Sequence, residues 1–189
     1  MYKYSLSLHD KTGQRKYLNQ KERLRFLEVT KQQLIEVKLF CQLIFYTGAR
    51  ISEIHNLKKD SIDLSNGTVV VETLKKRQKG IFREIPIPDY LLKDLKCFID
   101  GLKPEESLWW FSLRTASRRI KDCMEAANIK GVRSSAKGLR HGFAVHAVST
   151  VPLTLVKKWL GHSRLETTEI YLDIVGVEER DIARRFWEF

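Results

Sequence analysis

The sequence predicts a fold that is mainly α with a small antiparallel β-sheet (α+β). Three observations carry this reading. Apolar residues recur at three- and four-residue spacing over most of the chain, one pair of apolar, β-branched runs brackets a basic turn, and glycine or proline punctuates the ends of the segments. At 189 residues and 43% hydrophobic content, the chain has enough apolar material for one domain with a real core. The expected division is a basic arm over 1–18 and a folded domain over 19–189.

The elements follow in order. Asn19, with Glu22 three residues on, resembles a capping box that opens a helix running to about Val29. Leu34, Ile35, Val37, Leu39, Phe40, Leu43, Ile44 and Phe45 are apolar on most faces, as in a core helix, and Gly48 ends it. Ile51, Ile54 and Leu57 give a short helix. Asn66-Gly67 is a turn pair, and Thr68-Val69-Val70-Val71 begins a strand after it. The basic segment 75–80 forms a turn, and Ile81 to Ile85 returns as a second strand, ended by Pro86 and Pro88. From Asp89 the chain is helical, with Leu91, Leu92, Leu95 and Phe98 on one face and a break at Gly101 and Pro104. Further helices are expected from about Ser112 to Ala127, from Ser135, and from Pro152. Ser163 with Glu166 resembles a second capping box, opening a helix that contains Tyr171. A final amphipathic helix covers 177–189.

Charge and cysteine content bound the function. There are 34 Lys and Arg against 23 Asp and Glu, a net charge of +11, which suits a polyanionic partner. Cys41, Cys97 and Cys123 form no CxxC pair, so zinc and redox motifs have no support, and the surroundings of Cys41 and Cys97 suggest buried thiols in a reducing, cytoplasmic compartment. The start of the chain has no apolar signal region.

Three segments concentrate reactive side chains: Thr47-Gly48-Ala49-Arg50-Ile51-Ser52-Glu53-Ile54, Gly138-Leu139-Arg140-His141-Gly142-Phe143-Ala144, and Leu160-Gly161-His162-Ser163 followed by Thr167-Thr168-Glu169-Ile170-Tyr171. These residue types suit phosphodiester chemistry. Guanidinium groups hold nonbridging oxygens with paired, directional donors, and donors fixed where charge develops are a large source of rate. Histidine donates a hydrogen bond or moves a proton near neutral pH. A tyrosine hydroxyl becomes nucleophilic when its neighbours favour the phenolate, and a lysine can protonate the departing sugar oxygen. The scheme needs no metal and no cofactor.

Together these segments resemble, in order, the three boxes of the tyrosine recombinase and phage integrase family, and the basic hairpin lies where that family carries an active-site lysine. The resemblance covers roughly residues 20–189 and implies a tyrosine recombinase catalytic-domain-like fold. It implies that Arg50 and Arg140 clamp the scissile phosphate, that His162 belongs to the site, and that Tyr171 forms a 3′-phosphotyrosine link. Glu53 would brace the site. The lysine is Lys75 or Lys76, with Lys75 favoured by its place at the end of the strand, and Lys76, Arg77, Lys79 and His141 would contact DNA. Lys137 stands where the family's second box usually has histidine; it shares a helical face with Arg140 and can donate to a phosphate oxygen. His141 and His146, on the helix of Arg140, are assigned mainly to structure, and the DNA contact of His141 is a secondary reading. The partner implied is double-stranded DNA, bound by a homo-oligomer (a tetramer) on paired sites. Two other readings share these residues: a catalytically impaired DNA-binding remnant of an integrase, and a type IB topoisomerase-like enzyme.

Overall fold

A computed structural model describes residues 8–74 and 80–172, together with Arg180, Ala183, Arg184 and Trp187. Helix α1 spans Gln20–Lys31. The Asn19 side chain accepts from the Glu22 N–H at 2.9 Å, and Glu22 accepts from the Asn19 N–H at 3.0 Å, so the expected capping box is formed. Helix α2, Ile35–Thr47, is buried on most faces and packs against α1, α4 (Asp89–Ile99), α5 (Leu113–Ala126) and α6 (Ala136–Val148). Its carbonyl end is closed by Gly48 at φ +60°, whose N–H donates to the Ile44 carbonyl. A Cβ at Gly48 would sit 2.2 Å from Phe143 Cδ1, so glycine is required for space as well as for backbone sign.

The short helix α3, Ile51–His55, follows at once. A single 3₁₀ turn then leads to strands β1 (Ile62–Asp63), β2 (Thr68–Glu72) and β3 (Phe82–Pro86), antiparallel in the order β1-β2-β3. β1 was not anticipated from sequence. Two residues are too few to show periodicity, and Asp63 holds the turn by accepting from the N–H groups of Ser65 and Asn66. The register pairs Val69 with Ile85 and Val71 with Arg83, which places Arg83 on the buried face of the sheet. Residues 75–79 at the hairpin tip lie outside the described residues, as does most of the expected final helix.

Helix α4 turns Leu91, Leu95 and Ile99 inward. Cys97 lies off that stripe and is exposed, which corrects its reading as a buried thiol; Cys41 is buried as expected, and so is Cys123. Trp109 and Phe111 are core residues, and the Trp109 indole donates to the Ile54 carbonyl at 2.7 Å, whereas Trp110 between them is 79% exposed. Helices α5 and α6 begin at the serine caps Ser112 and Ser135. Helix α7 covers Leu153–Leu160. Helix α8 is only Glu166–Glu169: Ser163 makes no cap and Tyr171 sits in the turn just beyond, while the described residues further on, Arg180, Ala183, Arg184 and Trp187, are helical. The segment before Asn19 is tied down from Leu8 onward, because Leu8, Tyr17 and Leu18 are all buried.

Apolar side chains form two clusters. The larger surrounds α2 and the sheet. The smaller joins Leu8 and Tyr17 to Phe143, Val156, Leu160 and Tyr171. Burying each such aromatic or aliphatic side chain stabilises by roughly 1.5–3 kcal/mol, so both clusters hold their elements by packing. Among the described residues no helix is long and apolar enough to cross a membrane.

Candidate active site

The left-handed turn at Gly48 ends α2 and delivers Arg50 to the first turn of α3. Glu53 organises this corner. It accepts from the Arg50 backbone N–H and from Arg50 Nη1, both at 2.8 Å, and from Arg83 Nη2 at 2.6 Å. Its carboxylate is fully buried. Burial alone would push its pKa up, but the charge and hydrogen bond of Arg83, with those of Arg50, hold it below the usual carboxylate range, so it stays ionised. Arg83 is saturated. Besides Glu53, its Nε donates to the Trp159 carbonyl at 2.7 Å and its Nη1 to Thr73 Oγ1 at 2.9 Å. It thereby ties β3, α7 and the Arg50 corner together.

Arg140, on α6, joins all three sequence boxes. Its Nη1 donates to the Gly48 carbonyl at 2.7 Å, its Nη2 to the Leu160 carbonyl at 2.8 Å, and the same Nη2 lies 3.1 Å from His162 Nε2. Burial, and then the nearby charge of Arg50, push its pKa down to about 10, which leaves it cationic at neutral pH. These bonds leave N–H donors to spare for an anion. Two glycines let α6 come this close. A Cβ at Gly138 would lie 2.0 Å from the Arg133 carbonyl oxygen, and one at Gly142 would lie 2.7 Å from that of Leu18.

Helix α7 ends at Gly161, φ +66°, against the Arg83 guanidinium. His162 follows. Arginine can only donate, so His162 Nε2 accepts from Arg140 and Nδ1–H donates to Thr168 Oγ1 at 2.9 Å. Tyr171 stacks on this imidazole, with ring centroids 6.3 Å apart and planes 13° from parallel. Its hydroxyl is 2.9 Å from His141 Nδ1. The phenol is 2% exposed, and burial raises its pKa against the opposing pull of Arg140 and Arg50.

The structure therefore brings Arg50, Glu53, Arg140, His162 and Tyr171 into one neighbourhood. Lys137 is exposed on the first turn of α6. Lys75, Lys76, Arg77 and Lys79 lie outside the described residues, although the base of their hairpin opens on a cleft of about 380 Å³ lined by Thr73, Phe82, Lys157, Lys158 and His162. Sequence reasoning missed Arg83, Thr73 and Thr168. For Arg83 a signal existed: counting by twos puts it on the same strand face as Ile85, an inward charge that needs a buried carboxylate. His141, read from sequence as a DNA contact, reaches the hydroxyl of Tyr171 across 30 residues of chain.

Comparison with known proteins agrees with this geometry. A profile of the phage integrase family matches residues 16–175. The tyrosine recombinase XerA of Thermococcus kodakarensis is 32% identical over 170 residues, which is 84% of this chain and 58% of that protein. The tyrosine recombinase XerD of Haemophilus ducreyi is 31% identical over 165 residues, 79% of this chain and 54% of that protein. The chain thus spans a little over half the length of these relatives. Among solved structures, that of XerA recombinase superposes with a TM-score of 0.76 at 24% identity, covering 90% of this chain and 64% of that one. The XerH site-specific recombinase bound to its difH substrate, in a pre-cleavage complex, gives 0.72 at 21% identity, covering 95% and 60%. The catalytic domain of bacteriophage HP1 integrase gives 0.65 at 20%, covering 89% and 93%. At these identities the superpositions establish the fold.

Proposed function

Because the chain belongs to the phage integrase family, we propose that it is a site-specific recombinase that cleaves and rejoins double-stranded DNA through a 3′-phosphotyrosine bond at Tyr171. The observation that carries this reading is Arg140: one buried guanidinium bonded to the Gly48 turn, to the Leu160 carbonyl and to His162, beside the phenol of Tyr171. Arg50 and Arg140 supply paired donors to the nonbridging oxygens of the scissile phosphate, where charge grows in the pentavalent transition state. His162, fixed by Arg140 and Thr168, stands against the attacking tyrosine. Glu53 keeps Arg50 in place, Lys137 adds positive potential at the start of α6, and the hairpin lysine (Lys75 ahead of Lys76) protonates the leaving 5′ oxygen. Lys76, Arg77, Lys79 and the surplus of +11 neutralise flanking phosphates in the cytoplasm, where a homotetramer holds paired sites.

The test uses duplexes carrying sites selected by the protein from a random pool, nicked so that the freed fragment diffuses away. Wild-type protein is expected to form a denaturation-resistant adduct, and Tyr171→Phe to form none because the attacking oxygen is gone. An adduct in Tyr171→Phe, or none from the wild type, overturns the reading. Affinity for the same duplexes is expected to fall steeply as salt rises.

A further inference from the structure

Resting on that recombinase reading, we propose that His141 is the proton acceptor for Tyr171: its Nδ1, 2.9 Å from the phenol oxygen, takes the hydroxyl proton as that oxygen attacks phosphorus.

The geometry singles out this histidine. Of the two imidazoles beside Tyr171, His162 meets it ring face to ring face and has both nitrogens engaged, Nε2 by Arg140 and Nδ1 by Thr168. His141 meets it through a nitrogen lone pair aimed at the hydroxyl. A phenol is the better donor of the two, so Tyr171 donates to Nδ1 and the His141 proton sits on Nε2. Lys137, one turn earlier on α6, is exposed, whereas His141 carries the nitrogen bonded to the hydroxyl.

The surroundings explain how such a base would be switched on. Burial first, and then the charges of Lys137 and Arg140 on α6 and of Lys16 from the N-terminal segment, push His141 down to about 4. Its resting imidazole is therefore neutral and available, but weakly basic. A scissile phosphate brings negative charge beside the same cations, and the phosphorane adds more. Both favour the imidazolium, so basicity rises as the reaction proceeds. In the step itself an Oη–P bond forms, the P–O5′ bond breaks, the 5′ oxygen takes a proton from a separate donor, and the phenolic proton stays on His141. In rejoining, the 5′ hydroxyl attacks phosphorus and gives its proton back to that separate donor, the P–O5′ bond forms as the Oη–P bond breaks, and His141 returns its proton to the departing phenolate.

The experiment measures adduct formation on the nicked duplex from about pH 6 to 10, a range spanning histidine and phenol ionisation. Wild type, His141→Asn, His141→Ala and Lys137→Met are compared. Asn keeps an acceptor for the hydroxyl but cannot carry the proton away. His141→Asn is expected to be slower at neutral pH by on the order of 10²–10⁴-fold. Its rate is expected to climb about tenfold per pH unit as solvent hydroxide takes over, while the wild-type rate stays level. Free imidazole should partly restore His141→Ala. A substrate with bridging sulfur at the 5′ position, whose leaving group needs no proton, should leave the His141→Asn defect in place. Lys137→Met should lose rate without acquiring the pH slope. Three results would each overturn the assignment: a wild-type rate and profile in His141→Asn, rescue of that variant by bridging sulfur, or the slope appearing in Lys137→Met instead. A wild type that forms no adduct overturns the recombinase reading and this role together, whereas an adduct from both wild type and His141→Asn at equal rates removes only the role of His141.

Discussion

Arg83 and Arg140 are each gripped by three partners spread over distant parts of the chain, and the carboxylate of Glu53 is sealed beneath Arg50 and Arg83. Tyr171, facing them, follows a four-residue helix and belongs to the smaller apolar cluster. The side-chain bond that orients its hydroxyl is the one to His141. The anion-holding half is thus built by buried ionic bonds and backbone carbonyls. The nucleophile half is built by packing, one ring stack and a single phenol–imidazole contact. A phosphate clamp must be in place before charge develops, because reorganising dipoles during the reaction costs rate. A nucleophile must instead move from a hydroxyl to a phosphoester and back, which a lightly tethered turn allows.

The largest effect that would test this contrast is on the clamp side. Glu53→Ala leaves the Arg83 guanidinium buried without its counter-charge, and such a loss typically destabilises by about 3–5 kcal/mol. Urea unfolding should show it. The double variant Glu53→Leu, Arg83→Met should recover part of the stability, since neither charge is then stranded. A change within about 0.5 kcal/mol in Glu53→Ala, the size of an ordinary surface substitution, would break the contrast.

Acidification should act next, and it should reach the nucleophile side first. The folded-state pKa of His141, about 4, lies below the ordinary 6.5, so the unfolded chain binds the proton first. That contribution is intact above about 6.5, is lost as pH falls from there through about 4, and amounts to on the order of 2 kcal/mol. Glu53 and Glu22 have depressed carboxyl pKa values. Their contributions are present above the ordinary carboxylate range and fade only as pH falls through it and below. Thermal melts against pH should therefore show an early decline that His141→Asn flattens, and a later one that it leaves alone. A wild-type stability unchanged between pH 6.5 and 4 would contradict the burial of His141.

The smallest effect is expected from Thr168→Val. It removes the acceptor for His162 Nδ1 while conserving volume, and should cost stability no more than about 1 kcal/mol. Adduct formation should nonetheless slow, by up to about tenfold, as His162 loses its set orientation beside Tyr171. If Thr168→Val unfolds the protein as severely as Glu53→Ala, the two halves are not held differently.

Much of this was legible in the sequence because it is local. The Asn19–Glu22 capping box, the Gly48 stop, the serine caps of α5 and α6, the two longer strands and the order of the three boxes all depend on neighbours a few residues apart. Where the reading failed, distance was the reason. Ser163 and Glu166 have the spacing of a capping box, yet the chain there stays in a turn: His162 is held by Thr168 and Arg140, and α8 lasts one turn. Cys97 has Leu95 and Phe98 close by in sequence but lies off the buried stripe of α4. Arg83 shows its meaning only once β3 is laid over Glu53 and the end of α7.

By itself the sequence determined the starts of α1, α5 and α6, the stop of α2 and the spacing of the motifs that carry the two arginines, the histidine of the third box and the tyrosine, since caps, turns and motif spacing are set by local sterics and hydrogen bonding. Only the tertiary structure decided which histidine meets the Tyr171 hydroxyl. That contact depends on how far α6 is rotated and how closely it packs at Gly138 and Gly142 against the chain around Arg133 and Leu18, and such a pose is the sum of many weak contacts between residues remote in the chain.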